Sequence, residues 1–387
     1  MSGPVEGTRE DGKDGARRRV IARAARPERA ERAAGRPVVI TGGAGFIGTN
    51  LADRLLGQGR RVRLLDNLSR PGVERNLAWL RAQYGERLGV EIADVRDAAA
   101  VRKAVRGAET VFHFAAQVAV TTSLDDPLHD FEVNARGTLN VLEAVRESDL
   151  PPPLIFTSTN KVYGGMEDVA LGCRRGRYEP ADRQLAARGF SEDRRLDFHS
   201  PYGCSKGAAD QYVLDYARSY GLRTVVFRMS CIYGPHQFGT EDQGWVAHFL
   251  IRALEGRPIT LYGDGRQVRD VLYVGDLVRA FLLAEERVGE IAGRAFNIGG
   301  SAANTVSLLE LVERIAALHG RRPEVLFEGW RTGDQRYYVS DVRRFAEATG
   351  WQPGVGLEEG LGKLYNWLLE MRGTRSRRQP EVAAVRA

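Results

Sequence analysis

Tyr202 and Lys206 stand four residues apart in the segment Tyr202-Gly-Cys-Ser-Lys206, a spacing that puts both side chains on one face of a helix. A phenol titrates near pH ~10 and is a poor base at neutrality, but an ammonium beside it favours the phenolate. Such a pair can take a proton from a hydroxyl while hydride leaves the same carbon, and it therefore asks for a hydride acceptor. The segment Thr41 to Gly48, TGGAGFIG, supplies a place for one. Gly42, Gly45 and Gly48 permit a tight turn and close helix–sheet packing, and the backbone at Phe46 and Ile47 can meet a pyrophosphate at a helix N-terminus. Asp66 follows eighteen residues after Gly48, where a carboxylate can accept from an adenosine ribose and would repel a 2′-phosphate, favouring NAD over NADP. Asn67 and Arg70 continue the same loop, and Arg70 keeps NADP open. Asp94 and Val95, after the third apolar run, are placed to meet an adenine; Ala115, Ala116 and Gln117 lie where a cofactor would cross the sheet edge. His113, just before them, reads more readily as a satisfied core histidine. Thr159 ends the run LIFTST between the two motifs and is placed to hydrogen-bond the reacting hydroxyl.

These residues need a scaffold, and the chain alternates short β-branched runs with longer helical stretches from Arg36 onward. PVVITG, RVRLLD, VEIAD, TVFHFA and LIFTST are nearly continuous apolar runs, as expected of parallel strands covered on both faces. Helices are expected over 73–84, 97–106, 130–147 and 201–220. The pattern predicts an α/β fold: a Rossmann doubly wound parallel sheet over 37–229, with 271–290 returning to it, and a smaller α/β substrate-binding domain over 230–370. Residues 164–200 are polar, rich in Gly and Arg and too long for an ordinary connection, which suggests an insertion or lid.

The formal charge of +6 could suggest a nucleic-acid partner, but it sits in the tails. Residues 1–36 hold ten Arg or Lys against six acids, and 371–387 hold five against one, so each tail carries +4 and the body between about −2. That body offers no footprint for a phosphate backbone, and the tails read as solvated disorder. Cys173, Cys204 and Cys231 match neither a disulfide framework nor a metal-ligand spacing, which points to a reducing, cytoplasmic compartment and no metal. No apolar run approaches the ~20 residues that cross a bilayer.

The glycine motif, Thr159 and the Tyr–Lys pair, in this order, resemble the extended short-chain dehydrogenase/reductase family, whose NAD-dependent epimerases and dehydratases act mostly on nucleotide sugars. The resemblance spans about 37 to 370. Several stretches are similar to its CDP-paratose 2-epimerase branch: DNLSRPGVERNLAWL, AAQVAVTTS, STNKVYG, DFHSPYGCSK, QFGTEDQGWVAHF, YGDGRQVRD and RTGDQRYYVSD. In related 4,6-dehydratases an Asp-Glu pair follows the threonine and eliminates water; here Asn160 and Lys161 stand there and cannot supply those carboxyls. The resemblance thus implies transient oxidation at hexose C2 and return of the hydride to the opposite face. It further implies a nucleotide-diphosphate sugar as partner and a homodimer through the helices near 130–147 and 201–220. Thr122, Ser123, Asn160, Lys161 and His199 would line the sugar pocket, and Arg269 and Arg331 would hold the diphosphate. Trp245 would form a pocket wall or pack in the core. A UDP-sugar 4-epimerase, an NAD-dependent dehydrogenase or reductase, and a non-catalytic dinucleotide-binding protein stay open as alternatives.

Overall fold

A computed structural model describes residue 3 and residues 35–376. The expected tail over 1–36 therefore falls almost wholly outside the described residues, as does the part of the C-terminal tail beyond 376. Residues 371–376, expected in that tail, continue the helix Leu357–Ser376, where Arg372 donates to the carbonyl of Leu254 and pairs with Glu255 at 3.3 Å.

Seven parallel strands make the central sheet, in the order Arg294–Ile298, Thr224–Met229, Leu154–Thr159, Thr110–His113, Val38–Thr41, Val62–Asp66, Leu88–Ile92. Their apolar runs are continuous because successive side chains enter opposite layers. Ile40, Phe112 and Phe227 pack into one layer with Phe281 and Trp351, while Val39, Val111 and Val226 pack into the other with Val141 and Val213. Strand order reverses at Val38–Thr41, which pairs with Val62–Asp66 on one side and Thr110–His113 on the other. Such a reversal leaves a crevice at the carboxyl ends of the strands, where α/β sheets take ligands.

The chain leaves the sheet after Met229, builds a smaller unit, and comes back. The helix Val274–Glu286 puts Phe281 against the first layer, and Arg294–Ile298 then adds the outermost strand. The smaller unit joins Ile259–Tyr262, Val268–Tyr273 and Thr305–Ser307 with the helices Trp245–Leu254, Leu308–His319 and Leu357–Ser376 around Phe249, Leu261, Val312 and Leu364. Residues 164–200, read from sequence as insertion or lid, hold an antiparallel hairpin, Leu171–Arg174 with Arg177–Pro180, and the helix Arg183–Arg188. Phe190 fixes this segment by packing on Tyr337 and Tyr338 and donating its amide to the carbonyl of Val339 at 2.7 Å. The helix expected over 130–147 is interrupted: Pro127–Phe131 runs into a π-helical turn at Glu132–Arg136 before the α-helix Gly137–Arg146.

Candidate active site

At the crevice, the strand Val38–Thr41 turns into the helix Phe46–Gly57 through the glycine segment. Gly42 has φ +67°, and a Cβ there would meet the amide nitrogen of Ala115 at 2.7 Å; a Cβ on Gly48 would lie 2.4 Å from the carbonyl of Gly42. The cradle therefore closes only around glycine. Gly45 caps the helix without a side chain, so the first N–H groups at Phe46 and Ile47 are left for an anion. Asp66 accepts the amides of Ala44 and Leu68, both at 2.9 Å, which fixes a carboxylate beside the cradle. Asn67 donates to Asp94 at 2.9 Å and brings the ends of two neighbouring strands together, whereas Val95 is buried against Gly137. Ala115 donates its amide to the Thr41 hydroxyl, and the Gln117 amide donates to Asn134 Oδ1 at 3.0 Å. A glycine cradle, a carboxylate and a free helix N-terminus fit a dinucleotide.

The helix Ser200–Tyr220 carries Tyr202 and Lys206, both buried, against the end of Leu154–Thr159. Thr159 faces the phenol and draws its pKa down, while its hydroxyl accepts the Lys161 amide at 3.2 Å. The expectation that lysine would lower the phenol's pKa does not hold for the protein alone. Burial pushes Tyr202 up to about 12, against the pull of Thr159 and of the Arg70 guanidinium and with a further push from Asp130. Lys206 aims elsewhere: its Nζ donates to the carbonyl of Thr157 at 2.7 Å and lies 4.2 Å from the centre of the Phe156 ring. Burial brings Lys206 down to about 7, opposed by Asp210 and Asp130. Arg70, considered from sequence beside the adenosine ribose, instead faces Tyr202 and reaches Gln243 at 3.5 Å. His113 is the core histidine expected, held between the Thr41 and Thr138 hydroxyls at 2.6 and 2.9 Å; burial lowers it to about 3.

Beside Tyr202 opens a cavity of about 280 Å³ between the sheet edge and the smaller unit. Thr159 at the strand end, and Asn160 and Lys161 in the 3-10 turn that it caps, line it. Lys161 donates to the carbonyl of Gly333 at 3.1 Å and approaches Gln335 at 3.5 Å, and burial lowers its pKa to about 8. Arg269 and Arg331 also line it. The first pairs with Asp334 at 2.6 Å, and the second lies 3.6 Å from the Tyr262 ring centre and near Glu241 and Asp242. Trp245 lines the wall and donates Nε1 to Cys231 Sγ at 3.3 Å.

Three expected pocket residues sit elsewhere. Thr122 is exposed, and its neighbour Thr121 lines the cavity. Ser123 accepts the backbone amide of Tyr202 at 3.2 Å, so it seats the helix rather than a ligand. His199 is exposed and pairs with Asp197 at 3.2 Å. Sequence reasoning also missed Thr121, Gln267, Asp334 and the buried trio Asp130, Asn134 and Ser205. Among the described residues, Thr121 Oγ1 and Gln267 Oε1 are buried at the cavity without a hydrogen-bond partner, which suits a ligand rich in hydroxyls. The one sequence signal for the trio was an acid and an amide four residues apart, on a segment whose helical period hid the π-turn.

A dinucleotide cradle at a sheet reversal, beside a Thr, Tyr and Lys set that opens on a polar cavity, defines a Rossmann-type enzyme of the short-chain dehydrogenase/reductase kind. The chain belongs to the NAD dependent epimerase/dehydratase family, whose family model matches residues 38–299. It is 44% identical over 337 residues to CDP-paratose 2-epimerase of Salmonella typhi, covering 85% of this chain and 98% of that protein. Among solved structures it resembles UDP-glucose 4-epimerase of Thermus thermophilus in complex with NAD, with TM-score 0.73, 34% identity and coverage of 86% and 99% of the two chains. It also resembles a dTDP-glucose 4,6-dehydratase from Streptomyces venezuelae with NAD bound, with TM-score 0.75, 28% identity and coverage of 87% and 98%. Among the described residues no helix is long and apolar enough to cross a membrane.

Proposed function

We propose that this chain is an NAD-dependent epimerase that inverts C2 of a CDP-linked hexose. The observation that carries the reading is the Thr159-Asn160-Lys161 turn on the same cavity as Tyr202: an amide and an ammonium stand where elimination of water needs carboxyls, so the Tyr202 phenol has proton transfer alone to serve. The 44% identity to CDP-paratose 2-epimerase along nearly its whole length supports C2 and cytidine over the alternatives. NAD, when bound, would supply the hydride acceptor for C2 and the hydride returned to the other face of the sugar. Gly42, Gly45, Gly48 and Asp66 would hold that cofactor.

Tyr202 takes the C2 hydroxyl proton in the first half and returns it in the second, with Thr159 orienting the oxygen. Asn160 and Lys161 hold the hexose, and Arg269 and Arg331 hold the diphosphate through charge-assisted bonds. Arg331 must first leave Glu241 and Asp242, and Arg269 keeps Asp334 as counter-ion. Free cysteines at 173, 204 and 231 support a cytoplasmic enzyme. Leu124, Leu128, Phe131 and Tyr212, exposed at 45, 70, 51 and 47% on the helices beside Ser200–Tyr220 and on it, support a homodimer through that face.

The test is incubation with CDP-, UDP- and dTDP-hexoses, followed by NMR of ring stereochemistry and absorbance at the reduced-nicotinamide band. Inversion at C2 of the CDP-sugar without net absorbance change is expected. Inversion at C4 with C2 intact, or lasting reduction of NAD, would reject the reading.

A further inference from the structure

Asp130 is fully buried on the short helix Pro127–Phe131, away from the cavity wall, and nothing in the proton-transfer scheme uses it. Its two oxygens are both engaged. Oδ1 accepts Asn134 Nδ2 at 3.0 Å, and Oδ2 accepts the Ser205 hydroxyl in a short hydrogen bond. Ser205 is the residue next to Lys206 on the long helix. Asn134 also donates to the Ser205 oxygen at 3.1 Å, while its own Oδ1 accepts the Gln117 amide at the cofactor crevice. The π-turn makes this closure possible by turning Asn134 toward both the crevice and the long helix, one place where such turns recur at functional sites.

A carboxylate buried here is costly unless its oxygens are hydrogen-bonded, and Asn134 and Ser205 meet that need. Resting on the proposed role of Tyr202, we infer that Asp130 is a positioning residue whose negative charge, clamped through Ser205 and Asn134, sets the pH window in which the Tyr202–Lys206 pair works. The charge acts on both members in the same direction. It favours the ammonium of Lys206 and opposes the phenolate of Tyr202, so both titrations lie higher than they would beside a neutral group.

The other charges facing the cluster are few. Lys206 also meets Asp210 on its own helix, His113 on the neighbouring strand, the Phe156 ring and the Thr157 carbonyl. Tyr202 also meets Thr159 and the Arg70 guanidinium; burial raises the Asp130 carboxyl, and Ser205, Lys206, His129 and Asn134 pull it back toward the charged form. His113 is neutral at the working pH, because burial lowers it to about 3. Asp210 is already committed to Arg228 through bonds at 2.8 and 2.9 Å. Asp130 is therefore the carboxylate whose removal leaves the rest of the electrostatics in place.

The experiment is the pH profile of kcat and KM for Asp130→Asn, which keeps the shape and one acceptor oxygen while its amide nitrogen donates to the Ser205 oxygen instead of accepting from it, run beside wild type and Tyr202→Phe. The profile is expected to move to lower pH by about half to one unit, the size of one nearby charge, with KM unchanged. The variant would then be faster than wild type on the acid limb and slower on the alkaline limb, a change of sign that a structural defect does not give. Asp130→Ser, smaller and also neutral, should give the same displacement and carries the test if Asp130→Asn misfolds. A profile that stays in place in a folded variant overturns the inference. So does misfolding of both variants while Ser205→Ala folds normally, which would make Asp130 a structural residue. If Tyr202→Phe keeps its turnover, the proton-transfer reading fails independently of Asp130.

Discussion

Tyr202 is held by burial far from the pH at which it must act, and its neighbours divide the correction between Thr159 and Arg70. Tyr202→Phe keeps the ring and removes only the proton carrier, so kcat should fall by about 10³-fold or more while the purified protein still carries NAD. Assay of turnover and of released cofactor checks this; full activity would contradict it. Lys206 gives a second prediction. Its titration falls from the ordinary lysine value of 10.5 to about 7 through burial. Between those values the unfolded chain binds the extra proton, so the native state gains stability as pH rises from about 7 to about 10 and loses it as pH falls back. Urea midpoints of cofactor-free wild type should show that slope, and Lys206→Met should flatten it. An equal slope in both proteins would contradict the assignment. The Tyr–Lys pair was legible because four residues make one helical turn. The roles of Arg70 and Asp130 were not, because their partners lie far off along the chain and meet only in the fold.

The glycine cradle is the element on which the cofactor depends. Gly42 combines φ +67° with backbone of Ala115 at 2.7 Å from a notional Cβ, so Gly42→Ala meets both a disfavoured conformation and a clash with main chain that cannot swing away. A loss of about 2 kcal/mol and a protein purified with little NAD are expected, checked by thermal melting and cofactor content; an unchanged Tm with full NAD would contradict this. This cradle was legible because its glycines follow an apolar strand and open a helix. The sheet strands were legible too, since alternate residues feed two apolar layers and leave continuous runs. The π-turn at Glu132–Arg136 was hidden, because one extra residue in a helical turn barely changes the periodicity on either side. The hairpin at Leu171–Pro180 was hidden as well. Only one of its residues is buried, and Arg177 and Tyr178 are held by Glu310 and Asp264 of the smaller unit rather than by an apolar stripe.

At the scale of the whole molecule, the chain interleaves its two units: the smaller one begins after Met229, and Arg294–Ile298 still returns to close the sheet. From sequence only 271–290 is expected to return, and the strand at 294–298 lies beyond that range, since a run as short as AFNI does not say which sheet it joins. The proposed dimer face gives a further prediction. Leu128→Glu with Phe131→Glu places two charges on the exposed apolar patch and should turn a dimer into a monomer by sedimentation velocity; an unchanged dimer would put the interface elsewhere. The central claim concerns the fate of one hydrogen and can be followed directly. A CDP-hexose carrying deuterium at C2, converted in ordinary water and read by NMR, should give an epimer that keeps the deuterium at C2, because the hydride leaves and returns without meeting solvent. Replacement of that deuterium by solvent hydrogen during inversion would show direct deprotonation at C2 and contradict the account.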